Sequence, residues 1–142
     1  LQSRGLGDVY KRQVYGSVSD REKQRMMMDY ILSKFNEDPN KHWRWLAHGV
    51  IAAKHELKDM ELALKYADAL AEKATGDNVP YWARDMKLIV LEDMGEVEAA
   101  KILVGGLIAS GEITDPYELN FLQNKIHILE EKVTKIQQDV DK

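Results

Sequence analysis

Four histidines, no cysteine and a scatter of carboxylates are the residues of this chain that could do chemistry. His48 and His55 stand seven apart, two turns of one helix, so both can face the same way. A helical zinc pair needs a spacing of three or four, commonly with a glutamate between, as in H-E-x-x-H. His55-Glu56 opens like that motif, but Lys58 and Asp59 stand where the second histidine belongs. Both histidines therefore read as solvent-facing or groove-lining. Without cysteine there is no disulfide, no thiolate metal site and no thiol nucleophile. Asp77 and the pair Glu92-Asp93 fall on loops and helix ends, and nothing sets two of them at an acid–base separation. Gly105-Gly106 lies inside a helical pattern rather than between a strand and a helix, which is wrong for a phosphate loop. The glycine pair is expected to let a neighbouring helix pack close, against an intrinsic helix cost of about 1 kcal/mol each. No catalytic residue, cofactor or metal ligand is expected, and no enzymatic activity.

The elements that must carry any binding surface come next. A length of 142 residues supports one domain with its own core. A net charge of −4 lacks the basic excess of a nucleic-acid binder. The longest run without a charge, Ile102 to Gly111, is too short to span a bilayer. A soluble domain is expected, with the compartment open between cytoplasm and periplasm. From residue 19 onward apolar residues step by three and four, and no segment alternates as a strand would. The spacing predicts helices over 20–36, 41–57, 59–74, 79–94, 96–110 and 115–139. Ser19 or Asp20 caps the first, and Asp38-Pro39 ends it. Asp115, Pro116 and Glu118 form a capping-box-like start for the last. Short links make neighbours antiparallel. Met26-Met27-Met28 covers nearly a full turn, so one methionine at least should be exposed, either as core filler at an open end or as a partner surface.

Self-comparison finds a degenerate period of 36. Trp45, Tyr81 and Tyr117 coincide, as do Pro80 with Pro116, Ala63 with Ala99, and Ile31 with Ala67 and Leu103. Trp43-x-x-Leu46-Ala47-x-x-Val50 followed by Leu57 to Ala67 resembles a tetratricopeptide repeat. Trp43, Leu46 and Ala63 match the family pattern, with Ala47 in place of its glycine. A weaker second unit runs from Trp82 through Met94-Gly95-Glu96-Val97-Glu98-Ala99-Ala100. The resemblance implies an all-α, antiparallel helix-pair solenoid: a leading helix, helix pairs 41–74 and 79–110, and a closing helix. It also implies protein–protein binding on the concave face lined by the first helix of each unit. By that transfer Arg44, His48, Arg84 and Lys87 become candidates to hold an acidic peptide or partner. The family's carboxylate clamp of alternating lysine and asparagine is not recognisable.

The last helix has the cleanest pattern in the chain. Leu119, Leu122, Ile126, Leu129, Val133, Ile136 and Val140 form a heptad seam, which either caps the array or makes a weak homodimer with Lys125 meeting the partner copy's Glu130. A structural or oligomerising module, or an accessory domain of a larger enzyme or membrane-anchored protein, stays open as an alternative function. Residues 1–13 resemble translated sequencing-adapter read-through from environmental assemblies, which makes 1–18 a non-native or disordered lead and 19–142 the repeat domain. The read-through reading would start native sequence near Val14 and leave upstream sequence missing. Residues 1–13 carry net +2, so the remainder would carry −6.

Overall fold

Aspartates and prolines set the helix boundaries. The computed structural model describes residues 20–141, whose regular structure is all helix and contains no strand. The expectations for residues 1–18, and for Ser19 as a cap, lie outside the described residues. Helix α1 runs Asp20–Glu37. Asp38 alone separates it from α2, Pro39–His55, and its side chain accepts a hydrogen bond from the Lys41 N–H. Pro39 starts this helix, since its missing N–H is no loss in a first turn. Asp59 caps α3, Met60–Lys73, by accepting from the Leu62 N–H at 3.0 Å. After two short helices described below, α6 covers Val97–Ala109 and α7 covers Pro116–Val140. Gly95 and Gly111, with φ of +78° and +70°, make the turns on either side of α6 that a side chain would resist.

The predicted helix 79–94 is broken. It forms α4, Tyr81–Arg84, and α5, Met86–Asp93, with Asp85 between them at φ −100° and ψ 12°. At the break Asp85 is buried, and it lines one cleft with Glu118 of α7. Resetting the register also lets α5 face two ways. Met86 and Val90 join the first core with α1, α2 and α3, whereas Leu88 and Leu91 join the second with α6 and α7. A helix apolar on both sides is a shared wall between cores.

Side-chain hydrogen bonds between helices have a common span. Tyr66 donates to the Met28 carbonyl, Lys73 to Asn36, the Gly76 N–H to Asn40, Arg84 to Glu118 and Lys132 to Glu92, at separations of 38, 37, 36, 34 and 40 residues. The buried Tyr66 phenol is pushed up to about 12 by desolvation, with the Asp29 charge adding to it. The aromatics aligned by sequence do not share one role. Trp45 meets Tyr30 edge-on, Tyr81 packs on Phe121, and Tyr117 is exposed.

One further expectation needs correction. The expected close approach at Gly105-Gly106 is absent: apart from the helix's own backbone and the adjacent residues, no heavy atom lies within 4 Å of where a Cβ would stand at either residue. Helix α6 buries Ala100 and Val104, and the two glycines fall off that face. The tight crossing is at Gly49, where a Cβ would come within 3.1 Å of the Tyr66 ring. Within the chain the Lys125 ammonium lies 2.7 Å from Glu92. Of the three methionines only Met28 is buried.

Candidate functional site

The four cations expected on one surface fall in two places. Arg44 and His48 lie on α2, whose buried stripe of Trp43, Leu46, Ala47, Val50 and Ala53 turns them outward. With Trp43, Ala47, Ile51 and Trp82 they line a groove of about 140 Å³ between α2 and α4. Its floor is aromatic. Trp43 and Trp82 meet edge to face with centroids 5.4 Å apart, and the Arg44 guanidinium sits 5.0 Å from the Trp43 ring centroid. Trp82 and Ile51 are half exposed, at 49% and 47%. Among the described residues neither Arg44 nor His48 has an acidic side chain within ion-pair distance. A cation held against an aromatic face, beside exposed apolar surface, can receive a carboxylate and an apolar side chain together.

Arg84 and Lys87 are already engaged. Lys87 is 2.8 Å from Asp68 on α3, and Arg84 donates to Glu118 Oε1 on α7 at 3.2 Å. Both line a second cleft, of about 290 Å³, with Asp85 and Glu118. Glu118 was expected to turn back and cap its own helix. It is instead buried at 3% exposure, and Asp115 alone caps α7 by accepting from the Tyr117 N–H at 2.9 Å. The buried Glu118 has the half-buried Arg84 as its charge partner, and removing that partner would leave an uncompensated buried charge. Burial, and then the neighbouring Glu118 carboxyl through a hydrogen bond and its charge, pushes Asp85 up to about 8 against the pull of Arg84.

The seam of α7 divides in two. Leu122 and Leu129 are fully buried against α6, and Ile126 is partly buried there. Val133 is half-buried, while Ile136 and Val140 stand 50% and 72% exposed. Beside the seam, Glu92 of α5 receives both Lys125 and Lys132, at 2.7 and 2.9 Å. Burial alone would raise its carboxyl, but the hydrogen bonds and charges of the two ammonium groups outweigh this and hold it below the usual range.

Asp85, Glu118, Glu92 and the Trp43–Trp82 pair were not singled out as site residues from sequence. One available signal was separation. Asp85 and Glu118, like Trp43 and Trp82, stand close to the 36-residue period of the sequence apart. Among the described residues no helix is long and apolar enough to cross a membrane. No protein-family model, curated protein or solved structure matches this chain.

Proposed function

We propose that this chain is a short helix-pair repeat scaffold of the tetratricopeptide kind, binding a partner protein through an acidic, apolar peptide segment. Two features support the repeat reading. Side-chain hydrogen bonds between helices join residues 34 to 40 apart, about one unit. Helix α5 is shared between two successive cores, as a solenoid requires. In that reading α2 and α4–α5 are equivalent first helices, and the groove between them belongs to the concave face.

The observation that carries the binding assignment is the unpaired Arg44 beside the exposed Trp82 and Ile51. The chain neutralises Arg84 and Lys87 internally, but leaves Arg44 over an aromatic floor with no acid of its own. An aspartate or glutamate of the ligand takes Arg44, and an apolar neighbour lies on Trp82.

Selection from a displayed random-peptide library tests this. Wild-type protein should enrich segments pairing an acidic residue with a large apolar one. Arg44→Glu should lose them, and Trp82→Ala should weaken them about tenfold or more, as truncation of an aromatic anchor does. Enrichment of peptides without acidic residues, or equal capture by Arg44→Glu, would overturn the assignment.

A further inference from the structure

Helix α1 stands one period before α3. Arg25 meets Asp59, Tyr66 donates to the Met28 carbonyl and Lys73 donates to Asn36, so the two helices lie side by side and in register at about 36 residues. Residues 27, 30, 31 and 34 of α1 then correspond to 63, 66, 67 and 70 of α3. In α3 that face is covered by α2. Ala63, Tyr66, Ala67 and Leu70 are buried in one core with Leu46, Val50 and Ala53, and a Cβ at Gly49 would press on the Tyr66 ring. In α1 the same face is open. Met27 and Tyr30 are 48% and 54% exposed, and Ile31 and Lys34 are only partly buried. The adjoining stripe of α1, Met28 and Phe35, is buried in the core with α2 and α3.

The open face continues onto α2. The half-exposed Trp45 meets Tyr30 edge-on. Beside it, Met27, Met28 and Ile31 line a groove of about 310 Å³ with Ala52 and with Leu57 just past α2. Two charged residues also line this groove. Lys23 is paired with Asp20, whereas Glu56 has no ion pair among the described residues. We propose that this face docks a helix of a partner protein, bearing an apolar three-four stripe, a glycine or alanine at its centre against Tyr30, and a lysine or arginine that reaches Glu56.

The fold supplies the precedent for this occupant. The contact continues the α2–α3 interface by one period, which is how solenoid units share their apolar faces. It therefore rests on the repeat reading above, but not on the Arg44 groove. A helix laid in an apolar groove reads three-four anchors, and the methionine of this face adapts to their shape. The small central residue follows from Gly49, the residue that faces Tyr66 one period on. Charge separates the two surfaces of α2: the Arg44 side asks for an acid, and the Glu56 side asks for a base.

The full chain, with its methionine methyls labelled for NMR, is titrated with a synthetic amphipathic helix that has leucines at three-four spacing, lysines on its flanks and alanine at the centre of the stripe. A copy with leucine at that centre and a scramble of the same composition serve as comparisons. The alanine-centred helix should shift Met27 and Met28 saturably and leave Met86 and Met94 in place. The leucine-centred copy should bind about fivefold more weakly, and the scramble should not bind. Met27→Asp and Tyr30→Asp alter exposed residues, so both should keep the helical spectrum while weakening binding about tenfold or more. Glu56→Lys should weaken it about threefold. Arg44→Glu should leave it unchanged, and Met27→Asp should leave capture of acidic peptides unchanged, so failure here and failure of the Arg44 groove are told apart. Absence of a saturable shift, equal binding of the scramble or of the leucine-centred copy, or full binding by Met27→Asp would overturn the proposal. So would self-association of the chain, by sedimentation, that Met27→Asp abolishes, since a second copy would then be the occupant.

Discussion

Replacing Leu129 by alanine tests where the α7 seam finds its partner. Leu129 is fully buried and packs with Val104, Ala100 and Leu122 in the second core. Removing three buried carbons from such a site costs about 2–5 kcal/mol, part lost transfer energy and part cavity. The packed, two-helix setting leaves little room to collapse, which favours about 3 kcal/mol. For a chain of 142 residues that corresponds to a melting point lower by roughly 10 °C. Ile136 occupies the same seam two turns on, but is 50% exposed. Its alanine variant forfeits only part of its burial, so the expected cost stays under about 1 kcal/mol. Urea melts followed by helical circular dichroism, at about 5 µM and again at a roughly hundredfold higher concentration, read both terms. An intramolecular seam gives midpoints independent of concentration and a wide gap between the two variants. A midpoint that climbs with concentration, together with an Ile136→Ala loss equal to that of Leu129→Ala, would refute the intramolecular account and restore the zipper.

Three further outcomes follow from particular contacts. Asp85 keeps in the folded state, up to about pH 8, a proton that the unfolded chain releases near 3.8. Its contribution to stability is therefore whole below about pH 4 and is lost as pH rises through about 8, so Asp85→Asn should flatten that decline in a pH series of urea melts. Gly105→Ala and Gly106→Ala meet no neighbouring atom, so each should stabilise by up to about 1 kcal/mol through helix propensity alone, and a lower urea midpoint in either would show a hidden contact. Tyr66→Phe deletes the 2.7 Å bond to the Met28 carbonyl, which lies inside α1 and keeps the helix's own bond, for an expected loss of about 0.5–1.5 kcal/mol in the same melts.

Most helix boundaries were legible because their causes are local. Asp59 and Asp115 cap helices through bonds to residues two or three positions on, and Pro116 sits where its missing N–H does no harm. The break at Asp85 is not legible in the sequence, because the three-four apolar spacing runs straight across it. Nor does a three-four spacing say what it packs on. The seam of α7 fits a second copy and α6 equally well as a pattern, and the fold gives Leu122 and Leu129 to α6. Gly105-Gly106 was misread for the same reason, since the spacing shows a helix but not which face is approached.

The four candidate cations divide into two places because type and spacing record a charge but not its partner. Arg84 and Lys87 meet Glu118 and Asp68, whereas among the described residues Arg44 meets an aromatic ring and no acid. Repetition turns this into a usable rule. If successive units touch at a separation near 36, a charged residue should first be tested against opposite charges one unit away, and only those left over offered to a ligand. By that test Arg84 finds Glu118, 34 positions on, and Lys132 finds Glu92, 40 positions back. The search adds nothing for Arg44 in the fold, where its aromatic neighbour leaves the charge uncancelled. A cation without an acidic partner among the described residues therefore marks the groove better than the count of basic residues on first helices.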